Sequence, residues 1–218
     1  AYTFDPSTPD HPSSQTVNYS SGLGDQPGLP SGALFVLPSN IQVIGSIYGG
    51  LPGKNPIVVK KGVFQGPTPD NYKETTTTYT SYGAGTYIHL YMTLVNTAGS
   101  NYTLHLPGGL VCPFAHHDPT YQHGFLAQAV DVIVPANDTA YVNLNCFCLN
   151  AHHSPSNSSS VYKLGVITNN PELLTIVGIL ASKQDVTAVA GNIQSIIWNV
   201  TDNGGLTQAD IDYLNALP

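Results

Sequence analysis

Thr86-Tyr87-Ile88-His89-Leu90-Tyr91-Met92-Thr93-Leu94-Val95 is the stretch on which the reading of the fold turns. In an extended chain successive side chains point to opposite faces. Tyr87, His89, Tyr91, Thr93 and Val95 then share one face, and Ile88, Leu90, Met92 and Leu94 share the other. Both faces are apolar in character, and the period of two identifies a strand. A second alternation sets Val130, Val132 and Val134 against Ala129, Asp131 and Ile133.

Outward from these two, extended candidates cover 33–37, 41–48, 56–64, 74–82, 86–95, 102–111, 125–134, 139–146 and 161–166, separated by Gly, Pro and Asn turns. The polar β-branched run Thr75 to Thr78 suits an exposed strand or a sheet edge. Nine short strands with regular turns predict a mainly β protein, an antiparallel β-sandwich, rather than alternating α/β. After Asn170 the period changes to that of a helix. Asn170 is a cap ahead of Pro171, with Leu173, Leu174, Val177 and Leu180 on one stripe. Asp185 is the expected cap of a second helix carrying Val189, Ile193, Ile196, Ile197 and Val200, and Asn203-Gly204-Gly205 stops it. Thr207-Gln208-Ala209-Asp210 opens a third with a capping-box pattern, ahead of Ile211, Leu214 and Leu217. The expected organisation is an extended low-complexity arm over 1–32, the sandwich over 33–169 and a small C-terminal helical cap packed on it over 170–218.

Of the 218 residues only 9% are charged, and six Lys with no Arg against thirteen acids give a net charge of -7. A chain this poor in basic residues lacks the footprint that nucleic-acid or anionic-membrane binding needs, which excludes nucleic acid as a main partner. No apolar run approaches the length of a membrane span. Ser, Thr, Asn, Tyr, Gly and Pro replace the charge. Such a surface suits an extracellular protein, secreted or on the cell surface, and it favours self-association. The chain begins with Ala1 rather than Met, the expectation for a processed, exported form.

Three cysteines predict one disulfide in an oxidising compartment, from Cys112 to Cys146 or Cys148, although three free thiols read equally well from the count alone. Cys146 and Cys148, two apart on one strand, lie too far apart to pair. His116, His117 and His123 follow Cys112, and His152 with His153 follows Cys148. Imidazole pairs near a thiolate suit zinc or copper, and solvated or hydrogen-bonded loop histidines are the other reading; no further cofactor is expected. Nucleophile-elbow, phosphate-loop, dinucleotide and His-Glu-x-x-His patterns are all missing, so the expectation is that the chain is not an enzyme.

Gln194-Ser195-Ile196-Ile197-Trp198, followed by Asn199-Val200-Thr201-Asp202, resembles the Gln-x-x-(Ile/Val)-Trp helix motif of thioester domains in bacterial surface adhesins, and Phe147-Cys148-Leu149 is similar to their aromatic-Cys-aliphatic segment. The resemblance implies that Cys148 and Gln194 form an internal thioester, a masked electrophile that captures an amine on a host surface. Read without it, Ile193, Ile196, Ile197 and Trp198 are the buried stripe of an amphipathic helix.

Asn-x-Ser/Thr sequons occur at Asn18, Asn101, Asn137, Asn157 and Asn199, with Asn157 expected to be accessible in its serine-rich loop. Together these features predict first a secreted structural protein, a subunit of a filament or pilus-like assembly whose partners are copies of itself and also glycans. In that reading Tyr2, Phe4, Thr16 and Asn18 of the arm pair with a neighbour's sheet edge by strand addition. The alternative is a surface adhesin or ligand-binding module using the Cys148–Gln194 thioester or a histidine-held metal.

Overall fold

The computed structural model describes residues 21–50, 78–115 and 121–218. Tyr2, Phe4, Thr16, Asn18, His116, His117 and the expected strand over 56–64 lie outside the described residues. The strands in chain order are β1 Gly32–Leu34, β2 Ile41–Val43, β3 Ile47–Gly50, β4 Thr80–Tyr82, β5 Ile88–Asn96, β6 Tyr102–Leu106, β7 Val111–Cys112, β8 Gly124–Phe125, β9 Val130–Val134, β10 Thr139–Cys148, β11 Val161–Tyr162 and β12 Val166–Thr168. Three helices follow: α1 Pro171–Leu180, α2 Ala190–Asp202 and α3 Gln208–Asn215. The protein is mainly β, a sandwich with a helical cap.

The main sheet runs β11-β3-β5-β10-β8-β7, with β2 also on β5 and β4 on β10. Among the described residues every pairing of these strands is antiparallel except β4 with β10, which turn signals did not foretell. β5 is central, as its two apolar faces require, and Tyr91 on one of them packs edge-on against Tyr79 at 5.1 Å. Across from the sheet lies the β6–β9 ribbon, whose Leu104, Leu106, Val132 and Val134 point inward while His105, Asp131 and Ile133 face solvent.

β10 serves two cores. Its even positions Val142, Leu144, Cys146 and Cys148 join Ile88, Leu90, Met92 and the ribbon in the sandwich core. Phe147 and Leu149, on the opposite face, join the helices in a second core. That core takes Leu173, Ile176 and Leu180 from α1, whereas Leu174 is exposed and Val177 only half-buried. Asn170 caps α1 as expected, its side chain accepting from Glu172 N and Leu173 N at 3.0 Å each. Thr207 and Asp210 form the expected capping box of α3. Asp185 departs from expectation: it accepts from Thr187 N at 2.9 Å at the start of a short 3-10 turn whose own N-cap is Val186, and α2 begins only at Ala190.

Several long strand candidates are broken by backbone that cannot stay extended. The 41–48 candidate splits at Gly45, in the left-handed region at φ 72°, and 102–111 splits at the Pro107-Gly108-Gly109 turn. The expected arm also ends early. Leu23 is buried in the helix-side core, Gly24 N donates to Leu149 O at 2.9 Å, and residues 21–32 belong to the domain. Among the described residues no helix is long and apolar enough to cross a membrane.

Candidate functional site

The last residues of β10 make the site. Backbone groups along a strand point alternately to its two sides. Asn145 O accepts from Gly85 N on one side, and Leu149 N donates to His123 O on that same side. The N–H and C=O of Cys148 therefore point the other way, toward β5, but β5 begins at Ile88 opposite Cys146 and leaves no partner strand there. The side chain of Gln194 fills the vacant rung. Its Oε1 accepts from Cys148 N at 2.8 Å and its Nε2 donates to Cys148 O at 2.8 Å. Gln194 is 1% exposed and Cys148 fully buried, so the two residues named by the resemblance are in contact.

Gln194, Trp198 and Asp202 recur every fourth residue and share one face of α2. The half-buried Trp198 packs against the sandwich core beside Cys148, and its outer neighbour is the exposed Tyr87, with ring centroids 5.1 Å apart. Burial pushes the Cys148 thiol up to about 12. The Asn150 backbone and the Trp198 indole, whose N–H lies near the sulfur without a formed hydrogen bond, pull the other way, and the Asp202 carboxylate adds to the rise. The sulfur donates to Asn150 O at 3.2 Å and accepts from Asn150 N at 3.3 Å. Cys148 thus carries a protonated, dry thiol, and its backbone is held by a primary amide.

Asn150, unremarked in the sequence, ties the site together. Its Oδ1 accepts from His123 N at 2.8 Å, and its Nδ2 donates to Gly22 O at 3.2 Å and Gly24 O at 2.8 Å. One fully buried amide thus joins the chain entry, β10 and the segment before β8.

The expected disulfide is absent: Cys112, Cys146 and Cys148 are buried free thiols. Cys112 and Cys148 stand in register on either side of Gly124, two strand spacings or about 9–10 Å apart, farther than a disulfide reaches. The Cys146 thiol instead lies against Cys112, with side-chain-free Gly124 beside them; burial first, then this neighbour, raises its pKa well above the ordinary range.

Among the described residues the histidines do not gather into one cluster. His123 is buried, and its Nδ1 accepts from Phe114 N at 3.1 Å, which places the ring proton on Nε2. His153 Nδ1 lies 3.3 Å from Tyr121 O, and the exposed His152 turns toward Asp25 instead. Of the sequons, Asn101 and Asn137 are exposed. Asn157, expected to be free, is half-buried because its Oδ1 accepts from Ser159 N at 2.9 Å and its Nδ2 reaches the Tyr121 hydroxyl at 3.4 Å. Asn199 sits within α2 with its amide on Asp210, and Thr201 of the same sequon is buried. Compared with known proteins, the chain matches no family model, no curated protein and no solved structure.

Proposed function

We propose that the chain is an extracellular adhesion module whose Cys148–Gln194 pair forms an internal thioester and captures a primary amine on another surface. The observation that carries this reading is the doubly hydrogen-bonded contact of the Gln194 amide with Cys148, 46 residues away in sequence, in a site closed to water. In the bond-forming step Cys148 Sγ adds to Gln194 Cδ, and the thiol proton leaves with the amide nitrogen as ammonia. A primary amine then attacks the same carbon, giving a substituted amide on Gln194 and returning Cys148 as a thiol. No electrons are exchanged with an outside reagent. The environment that raises the thiol pKa also protects the product, because a poorly acidic thiol is a slow leaving group and a dry site excludes hydrolysis.

The intact mass of the full chain, purified without added amines, is expected to be one ammonia below the mass of its sequence. Methylamine should add once to that lighter species, and Cys148→Ala should remove both the deficit and the uptake. A mass equal to that of the sequence, with no methylamine incorporated, rejects the reading.

A further inference from the structure

Beside the thiol–amide pair, three segments far apart in the chain converge. Asp25 follows the buried Leu23, His152 lies in the turn after β10, and Asp202 is the last residue of α2. One ligand-type atom from each lies within 4.8 Å of the other two. His152 Nδ1 is 3.0 Å from Asp25 Oδ2 and 4.0 Å from Asp202 Oδ1. The Asp202 side chain is only 1% exposed, yet its two oxygens are treated unequally. Oδ2 accepts from Thr201 Oγ1 at 2.5 Å and from Ala151 N at 3.4 Å. Oδ1 is buried with no hydrogen-bond partner among the described residues, and the ionisable atom it approaches is His152 Nδ1.

The geometry points to a divalent transition-metal site, of the zinc class, formed by Asp25, His152 and Asp202. Buried carboxylate oxygens are normally satisfied, so an orphan facing an imidazole nitrogen and a second carboxylate marks a place for a shared cation. Ligand atoms on one tetrahedral zinc lie roughly 3–3.5 Å apart; the 3.0 Å between His152 and Asp25 has that spacing, and the 4.0 Å between His152 and Asp202 closes to it with a shift of about 0.5–1 Å. An imidazole in the set favours zinc over calcium or magnesium, which take oxygen ligands. The C-terminal end of α2 presents the negative pole of its dipole to the same spot. The ligands are held in place by the surrounding backbone: Gly24 sits at φ 56°, and a Cβ there would come within 2.2 Å of Thr201 O, so the Asp25 segment packs directly on the helix end. The exposed face of His152 leaves room for water as a further ligand.

The site does not depend on the thioester. Titrating the full chain with zinc chloride, by calorimetry and by thermal melting, is expected to give one equivalent of binding and a higher Tm. Removing even an outer partner of a metal ligand costs about 10–100-fold in affinity, so His152→Gln and Asp25→Asn, both at exposed positions, should weaken zinc by at least that much. Their melting without metal should stay near that of the parent. Cys148→Ala should bind zinc like the parent, which separates this test from the thioester. Unchanged zinc binding in His152→Gln, which retains the other seven histidines, would assign the metal elsewhere and overturn the site; so would no binding by the parent, or calcium binding more tightly than zinc.

Discussion

Relative to the chain with its Gln194 amide intact, replacing Gln194 by alanine is expected to lower the unfolding free energy by about 2–6 kcal/mol, because two buried backbone groups each lose their partner at about 1–3 kcal/mol apiece. Both the N–H and the C=O of Cys148 would be left facing the gap beyond the end of β5, in a region that water does not reach. Against a total stability of about 5–15 kcal/mol for a typical domain, that is a large share. Cys148→Ala keeps both hydrogen bonds to Gln194 and removes one buried sulfur with its weak contacts to the Asn150 backbone, a change of about 1–2 kcal/mol by comparison with single-methylene truncations. Urea unfolding of the two variants should therefore show a much lower midpoint for Gln194→Ala. Equal midpoints would mean that the amide does not act as the missing rung. The comparison also separates structure from chemistry, since both substitutions abolish a thioester and only one opens the strand end.

Acidification from pH 6.5 to 4 is expected to remove about 3 kcal/mol of stability through His123 alone. Burial, and secondarily His153, lowers its pKa from 6.5 to about 4 in the folded protein. Between those values the unfolded chain binds a proton that the folded chain refuses. The contribution is therefore fully present above pH 6.5 and is lost as pH falls through that window. The cause is local: Nδ1 is occupied by the Phe114 N–H, so protonation at that nitrogen would break the bond and place a charge in the core. His123→Asn offers an amide oxygen to the same N–H without titrating. The difference in urea midpoint between parent and variant, measured in the presence of a chelator, should shrink or reverse from pH 7 to pH 4.5. A difference independent of pH would assign the acid sensitivity to other groups.

Those features of the fold that depend on local periodicity were legible. β5 and β9 announced themselves by alternation, and Asn170 and Thr207 by cap chemistry that works within three residues. What escaped was decided by pieces distant in sequence. The parallel pairing of β4 with β10 and the double duty of β10 leave no local mark. Leu23 looked like one apolar residue in a Pro- and Gly-rich arm, and only the core beneath it shows why it is buried. At the site, Cys148 and Gln194 were flagged because each sits in a short motif. Asn150 and Asp25 sit in none, and they matter because the tertiary fold brings residues 22–25, 148–152 and 194–202 together.

Because β10 lends Val142, Leu144, Cys146 and Cys148 to one core while Phe147 at its end and the following Leu149 enter the other, loosening either core uncovers part of the same strand. A partly open form with loosened helices would strip Phe147 and Leu149 of their cover, and one with a loosened ribbon would do the same to Val142 and Leu144. The two layers therefore melt as a single cooperative unit, and amide hydrogens along 142–148 should exchange with solvent only through global unfolding.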